Sequence, residues 1–279
     1  VVYYKEETSQ PIDLFRQAII PQKAFEKILT KVSSQTAQSI KDNSYLLYDD
    51  VIVAYTKVLY NASEIQTVLP QLREYDIGDG KVPFDTYKEH HFRLWNSFIQ
   101  TYGSTHCAFV AEGAILHNQL LDIIGFYNVS IEELLIYFRA LADIVRSLSC
   151  RIYLLLPDDI EKLIIITLQE RGTGPNSWGA GFSKWMSLSP YCQKNNLSGV
   201  SGMVKIYKQM KILSMQILDH IGCEYEVIII KIAPIGTRHS VTDKAKRSRN
   251  PHSHVSLVIC SDGAPLRYRR FAVQDQASA

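Results

Sequence analysis

The sequence predicts an α/β protein, a largely parallel β-sheet flanked by helices. Short, mostly apolar runs recur at residues 1–4 (VVYY), 107–111 (CAFVA), 151–156 (RIYLLL) and 225–230 (YEVIII), as expected of strands buried on both faces. The segments between them carry apolar residues at helical spacing and are too long for hairpins, which calls for crossover connections and parallel pairing. Capping signals also stand where helices should open, most clearly in Ser130-Ile131-Glu132-Glu133.

Taken in order, residues 1–4 read as a first strand. Residues from Pro11 to about Lys31, and again 45–60, read as helices joined by a polar connector over 33–44. Residues 74–83 (EYDIGDGKVP) form a turn-rich loop with Gly78 and Gly80. A helix over 84–102 follows, with Tyr87, His91, Trp95 and Phe98 on one face. The strand at 107–111 stops at Glu112-Gly113. The helix opened by Ser130 has an apolar face of Ile131, Leu134, Leu135, Phe138, Leu141 and Val145. After the strand at 151–156, Asp158 and Glu161 read as a second capping pair, for a helix that ends at Arg171-Gly172. A Gly-rich loop spans 172–181, a long helix runs from about 202 to 220, and the strand at 225–230 closes the series.

Composition limits the function classes. Across 279 residues, 46% are apolar and 21% charged, ordinary values for a globular domain. No run of about 18 apolar residues occurs, and the first residues lack a signal-peptide layout. The five cysteines are odd in number and show no CxxC pair, which predicts free thiols and a cytoplasmic setting. Residues 232–279 hold eight Lys/Arg against three Asp/Glu, so with a chain total of +2 the first 231 residues carry −3. This divides the chain into a body, 1–231, and a basic tail, 232–279. The tail is expected to pack poorly against the body, with at most an isolated strand over 255–260. No nucleic-acid motif accompanies its charge, so it reads as a solvated extension.

Few residues stand where chemistry is done. Glu112 ends an interior strand, the position at which open α/β sheets gather ligands. It reads either as a carboxylate that holds Mg²⁺ or accepts a proton, or as an acid capping the next helix. Arg171 reads as a guanidinium that swings over a phosphate, or as a helix C-terminal cation. Arg93, beside Phe92 and Trp95, reads as a substrate contact or as an exposed arginine next to a core tryptophan. The glycines at 172, 174, 179 and 181 do not make a phosphate cradle. They follow a helix, and no GxxxxGK(S/T) occurs within these residues. No HExxH, nucleophile elbow or Cys/His pairing supports zinc or hydrolytic chemistry.

Glu112 after CAFVA, then RIYLLLPDDIEKLIIITLQERG, a Gly-rich segment, a long helix and EYEVIII together resemble P-loop kinases. The resemblance is to bacterial P-loop nucleoside-triphosphatases related to thymidylate and deoxynucleoside kinases, and it covers residues 1–230 in element order. It implies a three-layer kinase-like fold whose central strand, with its phosphate loop and first helix, has no counterpart in these residues. It further implies a phosphotransferase that uses ATP and Mg²⁺ on a nucleoside or small hydroxyl acceptor. Glu112 would organise the metal or accept the proton, Arg171 would clamp phosphate from a lid, and Glu6 and Glu7 would lie near the acceptor together with Arg93. Without the phosphate loop, ATP binding is expected to be weak or absent. The alternative is a regulatory or vestigial α/β protein that transfers nothing.

Overall fold

The computed structural model describes residues 2–4, 12, 14, 16–104, 108–172, 174, 177–232 and 256–260. Two sheets organise them. The first sheet has five strands, and all four predicted runs contribute to it. They are β1 (Val2–Tyr4), β5 (Phe109–Glu112), β6 (Cys150–Pro157) and β7 (Glu224–Ile230), with β8 (Ser256–Cys260) between the two pairs in the order β1-β5-β8-β6-β7. Pairs β1/β5 and β6/β7 are parallel. β8 is antiparallel to both β5 and β6, so all four predicted strands point the same way.

The expectation of an isolated strand in the tail is therefore corrected. Ser256–Cys260 is paired on both sides at the sheet centre, Val258 standing opposite Ala111 and Ile152. The physical reason is edge satisfaction. Without a strand there, β5 and β6 would each present an unpaired row of backbone donors and acceptors. Apart from Ile232, the remaining tail residues, and Glu6 and Glu7, lie outside the described residues.

The second sheet overturns the predicted helix over 45–60. Strands β2 (Ala18–Pro21), β3 (Ser44–Leu47) and β4 (Asp50–Val53) form an antiparallel sheet in the order β2-β4-β3. A tight turn at Tyr48-Asp49 makes the hairpin, with Tyr48 at φ 56. Short apolar runs fit either period, and here the β-branched Val51-Ile52-Val53 decides for strand. The same sheet shortens the first predicted helix to α1 (Gln22–Leu29), and the polar connector is itself helical, α2 (Ser34–Asp42), capped by the Ser33 hydroxyl. With α3 (Ile65–Arg73) these elements form a lobe on the body. Ile19, Leu47 and Ile52 join the main core, while Ala18, Ile20, Val51 and Val53 face a smaller core with Phe25, Ile28, Ile40, Val68 and Leu72.

Helix α4 (Phe84–Tyr102) matches its predicted span, and its Tyr87, His91, Trp95 and Phe98 are buried as expected. The segment after β5 contains α5 (His117–Phe126), a helix with no capping or periodic signal in the sequence. Helix α6 (Ile131–Val145) opens on the predicted capping box, with both the Ser130 and Glu133 side-chain bonds formed. Helix α7 (Ile160–Arg171) is capped one residue later than predicted. Asp159 accepts from the Lys162 amide, while Asp158 accepts from the Ile232 amide and so ties the end of β6 to the end of β7.

The last four residues of the predicted Gly-rich loop, 178–181, belong instead to α8 (Trp178–Leu188), capped by Ser177. Gly179 serves close packing rather than chain freedom. A Cβ there would lie 2.6 Å from the Gly172 carbonyl oxygen and 2.8 Å from Leu168 Cδ2. After the short α9 (Pro190–Lys194), α10 (Gly199–Ile221) packs on α5, α6, α7 and α8 and ends at Gly222 in the left-handed conformation.

Candidate functional site

The carboxyl ends of the four co-directional strands define one rim of the sheet. Glu112, the last residue of β5, stands there half-buried and in register with Leu257 near the start of β8. Gly113 turns the chain at φ +69, a conformation that favours glycine, and a Cβ at this position would come within 3.2 Å of Asn118 Nδ2. The Gln119 side chain, oriented so that its amide nitrogen donates, reaches the Gly113 and Ile115 carbonyls at 3.1 Å each. The turn that carries Glu112 is thus held by the helix that follows it. At β6 the rim holds Asp158 and Asp159, both engaged with backbone amides, and Lys162, whose Nζ donates to the Ile232 carbonyl at 2.9 Å.

Helix α5 is the unusual element behind this rim. Its His117, Asn118, Gln119 and Asp122 are all buried alongside Leu120, Leu121 and Ile123. Burial draws the His117 imidazole down to about 4, so it is neutral at physiological pH. Next to α5 a second buried histidine joins two helices. Trp95 Nε1 donates to His91 Nε2 at 3.2 Å, which leaves the proton on Nδ1 to meet the Tyr137 hydroxyl at 2.5 Å. Burial lowers His91 to about 3, against a weaker opposing pull from the Ile12 backbone.

The predicted site residues are scattered among different elements. Glu112 lies on the rim. Arg171 closes α7 at the end opposite Asp159, about 18 Å along the axis at the usual helical rise. Arg93 reaches Glu89 at 2.6 Å and Asp50 at 3.8 Å, and its guanidinium lies 5.6 Å from the centre of the Tyr48 ring, so it fastens the β3–β4 hairpin to α4. Trp95 is core. Among the described residues, no group of three or more His, Cys, Asp or Glu is arranged to hold a metal ion, and no helix is long and apolar enough to cross a membrane.

The rim does not fit a tight grip on ATP and Mg²⁺. A phosphate cradle needs GxxxxGK(S/T) between a strand that ends at the rim and a helix N-terminus, so that backbone donors and the lysine converge. Among the described residues β6 enters α7 through Asp158-Asp159 and β5 turns through Glu112-Gly113, neither with that loop, and the central β8 brings its amino end to the rim. The two rim aspartates accept from backbone amides, and Glu112 stands half-buried at the end of β5. The polar load of α5 was the missed signal, since HNQLLD has no single apolar stripe to identify it as a helix. Comparison with known proteins finds no matching family model, no matching curated protein and no matching solved structure.

Proposed function

We propose that the chain is a phosphotransferase-like α/β protein for a nucleoside or another small hydroxyl acceptor, whose 279 residues do not by themselves grip ATP and Mg²⁺. The observation that carries this reading is the strand order. Four co-directional strands lie two on each side of a central position, with an acid at the rim beside it. The resemblance to P-loop kinases implies that arrangement, with the phosphate-loop strand at the centre. In this reading Glu112 organises the acceptor side, either accepting the hydroxyl proton or orienting a metal-bound water, and Arg171, Arg93, Glu6 and Glu7 remain candidates for phosphate and acceptor contacts. The second reading, a non-catalytic regulatory α/β protein, is favoured by β8 itself, which fills the centre with a strand that cannot lead into a phosphate loop at the rim.

Calorimetric ATP–Mg²⁺ binding and single-turnover transfer to a nucleoside panel test the proposal. The native chain should bind ATP more weakly than about 1 mM, that is, with less than about 4 kcal/mol. A chain carrying a grafted strand–GxxxxGK(S/T)–helix unit should bind it and transfer phosphate, and Glu112→Gln in that chain should slow transfer more than it weakens binding. Micromolar affinity in the native chain would refute the stated defect. A grafted chain that binds ATP yet transfers to no acceptor would favour the regulatory reading.

A further inference from the structure

The lobe and the body meet at a turn that the rim chemistry does not use. The chain leaves α3 and pairs briefly with β2, Ala18 bridging Asp76 and the Ile19 amide donating to the Tyr75 carbonyl at 3.0 Å. Asp76 is buried. It accepts from the Tyr55 hydroxyl of the lobe and from the Gly78 amide at 3.0 Å, and it lies 3.6 Å from Lys81 Nζ. Three residues later, at Asp79, the turn is fixed to the body. The Asp79 amide donates to Asp122 Oδ1 on α5 at 2.8 Å, and Trp185 Nε1 of α8 donates to Asp79 Oδ1 at 2.8 Å. The Tyr127 hydroxyl reaches the Ile77 carbonyl at 3.3 Å.

Three carboxylates therefore converge on one turn. A Cβ added to Gly78 would lie 3.4 Å from Asp76 Oδ1 and 3.7 Å from Asp122 Oδ2. The charged groups bearing on Asp122 are Asp79 and Asp76, which oppose its ionisation, and Lys81, which favours it. The Tyr127 phenol just past its own helix and the Tyr137 phenol of α6, both raised and neutral, interact with it, and the uncharged Trp185 indole of α8 bonds to Asp79. Lys81, and Arg16 acting on Asp79, stand against three carboxylates, which leaves a surplus of negative charge around the buried Asp76 and Asp122.

We propose that residues 76–81 form a pH-dependent clasp between lobe and body, closed while Asp122 is protonated and loosened as Asp122 ionises. The direction follows from linkage. Burial and the two neighbouring carboxylates push the closed-state Asp122 up to about 8, while the Asp79 amide and Lys81 pull the other way. A solvated aspartate in the open turn titrates near its ordinary value, so the closed clasp holds a proton that the open one gives up. The advantage of closure is full below the ordinary aspartate range. It falls about tenfold per pH unit as pH rises and is gone once pH passes the closed-state value. Ionisation places a third negative charge against Asp76 and Asp79 and works against the turn that the Asp79 amide holds.

Hydrogen exchange of the 76–81 amides, each rate corrected for the intrinsic effect of pH, tests this, with the α10 amides as reference for global opening. In the wild type, clasp amides should exchange ahead of α10 at every pH, and their protection should fall at least tenfold between pH 6 and pH 8. In Asp122→Asn the fall should be under threefold. Should that variant not fold, Lys81→Met, at a partly exposed position, should leave clasp protection at pH 9 at least threefold below wild type. Protection independent of pH in the wild type would overturn the proposal, as would Asp122→Asn following the wild-type profile or Lys81→Met matching wild type at pH 9.

Discussion

The buried titratable groups pull stability in opposite directions, and together they predict a stability maximum near pH 6.5. His91 and His117 are neutral in the fold at about 3 and about 4, against an ordinary 6.5. Below the ordinary value the unfolded chain takes up two protons that the fold refuses, so their contribution is full above it and is lost as pH falls. Each group costs about 1.4 kcal/mol per pH unit, so pH 5 removes about 4 kcal/mol for the pair. Asp122, raised to about 8 from 3.8, acts the other way and returns about 2 kcal/mol over the same interval. The net loss at pH 5 is about 2 kcal/mol. Between pH 6.5 and pH 8 the histidines are silent and Asp122 alone removes about 2 kcal/mol. Both losses are large beside the roughly 5–15 kcal/mol that holds a folded domain. Urea denaturation followed by circular dichroism from pH 4.5 to 8.5 reads this directly. Midpoints should peak near pH 6.5, and Asp122→Asn should flatten the alkaline limb and steepen the acid one. Stability that holds constant from pH 6.5 down to 5 would refute the argument for two buried neutral histidines.

Two further substitutions probe the fold. Ser130→Ala removes the hydroxyl half of the capping box of α6, the acceptor for the Glu133 amide, and should cost about 1 kcal/mol, seen as a lower urea midpoint with unchanged slope. Val258→Pro strikes the centre of β8, opposite Ala111 and Ile152, where a proline can neither donate to the ladder nor fit a central strand. It should cost at least about 3 kcal/mol and raise exchange at the β5 and β6 amides, whereas a neutral result would remove β8 from the sheet.

The elements legible in the sequence were those whose pattern is enforced locally. Helix α4 keeps its buried face at helical spacing over 19 residues, α6 declares its start through Ser130 and Glu133, and α10 declares its end at Gly222. The lobe was misread because Tyr45 to Val53 is a short apolar run of either period, and only pairing with β2 decides between them. Helix α5 went unseen because its burial is decided by the helices around it. His117, Asn118, Gln119 and Asp122 find their place through tertiary contacts that no spacing encodes. The place of Glu112 at a strand end was legible because a strand end followed by Gly113 is a local signal. The Asp76–Asp79–Asp122 convergence joins residues 46 positions apart and had none.

The antiparallel centre of the main sheet also determines when the sheet can be completed. Phe109 pairs with Cys260, and Cys150 pairs with the same residue from the other side, so two of the ladders close loops of more than about 100 residues. Strands β1 and β5 can pair early, and β6 and β7 can pair as soon as α10 is made. Neither pair has a sheet partner on its inner edge until residue 260 has been synthesised. At ordinary elongation rates of 5–20 residues per second, the roughly 150 residues after β5 keep that edge waiting for about 7–30 seconds on the ribosome. During that interval the nascent chain carries first the bare inner edge of β5 and then that of β6 as well, and a chaperone that covers extended backbone would find its substrate there.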